Sequence, residues 1–219
     1  MKIGILGAGF IGRALATHAL ANGHEVMISN SRGAKSLRSA AVALGCRVGS
    51  AEEAAAFGDL VMLAVPMSAV PELPAAPFAG KVVVDANNYY PDRDGPIPDL
   101  DDGRLTTSGF VARHLPGAKV VKAFNAILVN DLERDGLPAG SPGRRALPIA
   151  GDDADAKRQV ASLVSAFGFD VVDAGSLADS WRFERARPVY CRRFDKPGLE
   201  AALAATTRDD QVVEGSWRA

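Results

Sequence analysis

Residues 1–32 constrain this chain more than any other stretch. A short apolar run of mostly β-formers, Lys2-Ile3-Gly4-Ile5-Leu6, meets Gly7-Ala8-Gly9-Phe10-Ile11-Gly12, a G-x-G-x-x-G. An Ala- and Leu-rich stretch of helical spacing follows as far as Ala21-Asn22-Gly23. A second run, Glu25-Val26-Met27-Ile28, then delivers Ser29-Asn30-Ser31-Arg32. The glycines alone are a weak signal. With a strand before, a helix after and a second strand at the right distance, they read as a dinucleotide-binding fingerprint. Gly7 permits the tight turn, Gly9 lets the backbone approach a pyrophosphate, and Gly12 lets the helix pack closely on the sheet. With Ala8, Phe10 and Ile11 they make a loop whose unpaired N–H groups, at the positive end of a helix dipole, attract phosphate.

The end of the second strand discriminates between dinucleotides. An Asp or Glu there accepts hydrogen bonds from the ribose 2′-hydroxyl of NAD. This chain has no acid at that point; it has Asn30, Ser31 and Arg32, then Lys35 and Arg38. Hydroxyls and a guanidinium suit a 2′-phosphate, which a carboxylate would repel. The pattern therefore favours NADP(H) over NAD(H). Arg32, beside the serines, is the strongest candidate, whereas Lys35 and Arg38 read equally as solvated charges on the next helix.

The same alternation runs on. Helical spacing predicts a helix over 37–44 stopped by Gly45, and Ser50-Ala51-Glu52-Glu53 is a capping box for a short helix to Phe57. The nearly continuous apolar run 59–66 is a strand of the kind buried on both faces of a parallel sheet. Further strands are expected at 81–85, 119–124, 145–150 and 169–173. Ser108 is expected to cap a helix to Leu115, and a helix is expected near 129–134. Asp152 and Asp153 are read as helix-start acids rather than metal ligands. The Asn-, Asp-, Pro- and Gly-rich stretch 86–104 reads as a long loop. Strands alternating with helices give an α/β, Rossmann-type doubly wound, mostly parallel sheet. Residues 1–175 form the nucleotide-binding domain, and 176–219 form a small C-terminal extension. A ligand then lies along the carboxyl ends of the strands, which carry the glycine loop, Ala64-Val65-Pro66, Asn87-Asn88 and Asn125. Pro66 suits a rigid turn against a nicotinamide ribose or simple strand termination. Asn87, Asn88 and Asn125 suit ligand contacts or turn closure.

Composition narrows the partners. Across 219 residues the net charge is −1, with no strongly basic region, which argues against nucleic acid. No apolar run reaches the length of a membrane span, and no secretory signal is visible. Cys46 and Cys191 have neither C-x-x-C nor metal-ligand spacing, and they read as reduced thiols of a cytoplasmic protein. The three histidines are scattered, with His18 on the apolar face of the first helix, where it reads as a packed side chain.

With these residues in place, the chain resembles the family of coenzyme F420-dependent NADP oxidoreductases, in its bacterial branch. The likeness runs over residues 2–190. It rests on 7–12, on Ser29-Asn30-Ser31-Arg32, on Val121-Lys122-Ala123-Phe124-Asn125, and on Ala146-Leu147-Pro148-Ile149-Ala150-Gly151-Asp152. The Lys-Ala-Phe-Asn run also resembles the reductase domain of the STEAP metalloreductases. The resemblance implies NADP(H) contacts from the glycine loop, Ser31, Arg32, Lys35 and 64–66. It also implies a homodimer whose tail helps the contact, and a deazaflavin or flavin as hydride acceptor. The first glycine loop and the shorter C-terminal portion depart from the deazaflavin reductases proper, so the cofactor transfers and the acceptor stays open. Hydride transfer needs alignment more than acid–base hardware. No catalytic side chain or metal site is assigned from the sequence. Two alternatives stand beside this reading. One is an NADPH-dependent reductase of a small carbonyl or imine, with Lys122, Tyr89 or Tyr90 as proton donor; Lys122 also reads as capping or covering the sheet with its stem. The other is a non-catalytic NADP(H)-binding redox sensor.

Overall fold

The computed structural model describes residues 1–213 and 215–218; of the extension 176–219, positions 214 and 219 lie outside the described residues. In chain order the regular elements are β1 (Lys2–Leu6), α1 (Phe10–Ala21), β2 (Glu25–Ser29), α2 (Arg38–Leu44), β3 (Arg47–Val48), α3 (Ala51–Phe57), β4 (Leu60–Leu63) and β5 (Val82–Asp85). They continue with α4 (Pro91–Asp94), α5 (Pro98–Asp101), α6 (Thr107–His114), β6 (Lys119–Lys122), α7 (Val129–Arg134), β7 (Ala146–Gly151), α8 (Ala154–Ala166), β8 (Asp170–Asp173) and α9 (Lys196–Ala205).

The strands form one sheet in the order β3-β2-β1-β4-β5-β6-β7-β8. All pairings are parallel except β6 with β7, which meet antiparallel through Val121 opposite Gly151 and Lys122 opposite Ala150. Strand order reverses between β1 and β4, the switch point at which doubly wound sheets open a crevice. Every residue of β4 and β5 is buried, because helices cover both faces. On one face α1 and α8 pack Leu15, Val160, Leu163 and Val164 against Ile3, Ile5 and Val84. On the other, α3 and α6 bring Ala54, Ala55 and Val111 against Leu6, Val61 and Val83. The extension adds a third cluster, with Phe183, Tyr190, Leu199, Leu203 and Trp217 against Ala146, Ala150 and Val172 of β7 and β8.

Local sequence explains most boundaries. Ser50 and Glu53 form the expected capping box of α3, and Asp153 caps α8 by accepting from Ala156 N. One cap differs from the sequence reading: Thr106, not Ser108, accepts from Gly109 N at the start of α6. Ser108 has a buried partner instead. The strand expected over 59–66 is regular only over Leu60–Leu63, and 64–66 forms the turn at its carboxyl end. The stretch 86–104 contains the short helices α4 and α5. The pattern also gave no warning of β3, whose two residues are too few to show a period. No described helix is long and apolar enough to cross a membrane.

Candidate functional site

The groove at the switch point is built from backbone. Gly7 leaves β1 at φ +98° and donates its N–H to Ser29 O at 3.0 Å. A Cβ at this position would lie 2.1 Å from Ala64 O, so β1 and β4 meet this closely only through glycine. Gly12 is tighter still, since its Cβ would fall 1.8 Å from Gly7 O and push α1 off the loop. Gly9 is different. Nothing lies within 4 Å of the Cβ it lacks, and as N-cap of α1 it gives the helix no side-chain cap. The first-turn amides of α1 therefore keep their hydrogen bonds for a group outside the helix.

Around this floor lies a cavity of about 490 Å³. It gathers most of the candidate residues: Gly7, Ala8 and Gly9 beneath, Asn30, Ser31 and Arg32 along one wall, and Ala64, Val65 and Pro66 along the other. Glu72 and Leu73 close it further out. Ser31 and Arg32 are exposed, and the Asn30 side chain donates to Ser36 Oγ at 3.0 Å, bracing the loop that carries them. The remaining candidates stand outside the lining. Phe10 is exposed at the first turn of α1, Ile11 packs on the core, and Gly12 is buried under the loop. Lys35 is exposed on the 3-10 turn Ala34–Leu37. Asn87 is buried behind the groove wall, where its Oδ1 accepts from Val65 N at 2.7 Å.

A second polar cluster sits under the carboxyl ends of β5 and β6. Lys122 and Asp85 are fully buried, with Nζ 3.8 Å from Oδ2. Lys122 Nζ donates to Thr107 Oγ1 at 2.5 Å and to Asn87 O at 3.2 Å, and Ser108 Oγ donates to Asp85 Oδ2 at 2.5 Å. Thr107 passes the chain on, its hydroxyl donating to Glu184 Oε1 at 2.8 Å in the extension. Burial pushes the Asp85 carboxyl above its ordinary range, against the opposing pull of Lys122.

None of the proton-donor candidates lines the groove. Lys122 is sealed inside this cluster, so it cannot touch a substrate in the groove. The Tyr89 hydroxyl lies 2.7 Å from Asp101 Oδ1 and accepts from Ile97 N, bracing the 89–101 loop. The hydroxyls of Tyr90 and Tyr190 are 3.0 Å apart; burial raises the Tyr190 pKa far above the phenol value. Asn88 Nδ2 donates to Asn125 O, and Asn125 Nδ2 donates to Phe183 O, so both close the sheet edge against the extension. His18 is packed as read from the sequence, bonded to Leu132 O and stacked on Phe167. Neither Cys46 nor Cys191 forms a disulfide among the described residues, and no described trio of His, Cys, Asp or Glu converges as a metal site. Thr107, Asp85 and Glu184 were not read as site residues in the sequence, and Ser108 was read only as a helix cap. Asp85 ending the apolar run Val82-Val83-Val84 was the one visible hint.

A Rossmann-type sheet with a glycine-floored crevice at its switch point defines the class, a dinucleotide fold. Comparison with known proteins places the chain within it. The family model described as NADP oxidoreductase, coenzyme F420-dependent, matches residues 2–89. The structure of hypothetical protein SMa0349 from Sinorhizobium meliloti superposes with a TM-score of 0.75 at 37% identity, covering 90% of this chain and 95% of that one. A proposed F420-dependent NADP reductase from an Arthrobacter species gives 0.66 at 29% identity, covering 83% and 87%. Rat metalloreductase STEAP3 is 33% identical over 187 residues, 84% of this chain. The chain spans less than half the length of the curated relatives it matches, 36% in the case of STEAP3. It belongs to the family of coenzyme F420-dependent NADP oxidoreductases.

Proposed function

We propose that the chain is an NADP(H)-dependent oxidoreductase that passes hydride between the nicotinamide and a deazaflavin- or flavin-type ring. The observation that carries this reading is the space over Gly9. The loop clamps itself shut with glycine at Gly7 and Gly12, yet leaves the Gly9 position open before an uncapped helix start. Such a cradle fits a diphosphate.

In this reading the first-turn amides of α1 hold the diphosphate. Ser31 and Arg32 hold a 2′-phosphate through charge-assisted bonds, with Lys35 nearby. Ala64, Val65 and Pro66 wall the nicotinamide half, and Asn87 fixes Val65 from behind. The chemistry such a cofactor supplies is reversible hydride transfer. The chain's part is to orient and to exclude water, which suits a groove without an acid or base on its floor. The family to which the chain belongs supports the same reading.

Steady-state oxidation of NADPH against a panel of acceptors tests it. Turnover with a deazaflavin or free flavins is expected. Turnover confined to small carbonyls or imines would contradict the acceptor class, and turnover with nothing on the panel would contradict the enzyme.

A further inference from the structure

The buried charges at the tips of β5 and β6 converge on one residue of the candidate groove. Asp85 Oδ1 accepts from Asn87 N at 3.0 Å, and Lys122 Nζ donates to Asn87 O at 3.2 Å. Asn87 is thus gripped by both of its backbone polar groups. Its side chain reaches the other way, Oδ1 taking the Val65 N–H at 2.7 Å. Asn87 Nδ2, itself buried, has no partner among the described residues.

We propose that Lys122 and Asp85 are positioning residues of the cofactor groove, clamping Asn87 so that its side chain sets the Val65–Pro66 turn. The inference rests on the reading of that groove as the NADP(H) site. Three features carry it. A buried ion pair gains little over an apolar pair of the same volume, so stability alone does not account for it. The pair's hydrogen bonds go to the backbone of one turn and to the α6 start, and none reaches the groove directly. And an unsatisfied buried donor is costly, which marks Asn87 as the residue of this turn with a hydrogen bond still to give. Thr107 and Glu184 extend the clamp into the extension. The tail then acts on the groove through Lys122 rather than by covering it.

The test is a calorimetric cycle with NADPH on four full-length proteins: wild type, Asn87→Ala, the double variant Lys122→Met/Asp85→Asn, and the triple variant combining them. Removing both charges together leaves no lone buried charge to unfold the chain. Asn87→Ala and the double variant are each expected to weaken binding about tenfold, and the triple variant about tenfold in total rather than a hundredfold, because both changes remove one thing. Emission from bound nicotinamide at saturating NADPH should change alike in all three variants, which lost stability alone would not cause. Should the double variant not fold, Thr107→Val replaces it. It removes one Lys122 partner without altering charge, and its loss of about threefold should vanish in the Asn87→Ala background. Wild-type affinity in the double variant, or losses that multiply in the triple, would overturn the clamp and leave the cofactor reading standing. A wild type that takes up no NADPH would overturn both.

Discussion

Two stretches of one sheet edge solve different problems with different materials. At β1 and β2 the edge is made of backbone: Gly7 and Gly12 bring main chain within distances no side chain permits, and the floor carries no charge. At β5 and β6 it is made of side chains, with Asp85, Lys122, Thr107, Ser108 and Glu184 joined in a chain of hydrogen bonds under the surface. The first stretch faces solvent and has hydrogen bonds to offer. The second is mostly buried and has spent nearly all of its own. Backbone amides suit a ligand group every dinucleotide shares, since they recognise phosphate without a rotamer to order. Side chains suit orientation, because their bonds run in fixed directions. On the proposed reading, recognition falls at one end of the groove and alignment at the other.

Glycine substitutions should split that contrast most sharply. Gly12→Ala forces a backbone clash with Gly7 and is expected to cost about 3 kcal/mol in denaturant unfolding. Arg32→Glu comes next in size. It should weaken NADPH about thirtyfold, some 2 kcal/mol, while leaving NADH within a few-fold, as read by calorimetry. Gly9→Ala follows. Nothing surrounds the new methyl, so unfolding should shift by less than about 1 kcal/mol. NADPH affinity should fall about tenfold, near 1.4 kcal/mol. Equal effects on folding and affinity at Gly9 and Gly12 would erase the distinction drawn between them.

The smallest effect comes from the other end of β6, where Lys119 makes an ion pair of the opposite kind. Its Nζ lies 3.0 Å from Asp153 Oδ2 in a partly exposed setting, in contrast to sealed Lys122. The Ala156 N–H, then Lys119, holds the Asp153 carboxyl below its ordinary range. A folded pKa below the unfolded one stabilises the fold above the unfolded value of about 3.9, and that contribution fades as pH falls through the folded pKa. Melting curves of wild type and Asp153→Asn should therefore separate above about pH 4 and converge below it. Separation that persists at lower pH would assign the difference to something other than this carboxylate.

The two stretches also differ in how far the sequence announces them. The glycine loop is local: strand, turn, helix and second strand follow one another, so spacing alone placed Gly7, Gly9, Ser31 and Arg32 around one cavity, with Gly12 buried under the loop. Pro66 and Ala64 were placed by the strand before them. The clamp is tertiary. Thr107 and Ser108 come from a helix start, Glu184 from the extension, and only folding sets them beside Asp85. Ser108 shows the limit well. A serine before a helical run reads as a cap, but Thr106 lies two residues earlier, takes the capping bond, and leaves Ser108 to the buried carboxylate. Lys122 misleads for a similar reason, because a lysine at a strand tip resembles a proton donor until its burial is known.

Titrating NADPH and NADH separately into the wild-type chain tests the centre of this account most directly. Saturable heat with NADPH, and at least tenfold weaker uptake of NADH, is the predicted outcome. No heat with NADPH, or tighter binding of NADH, would contradict it.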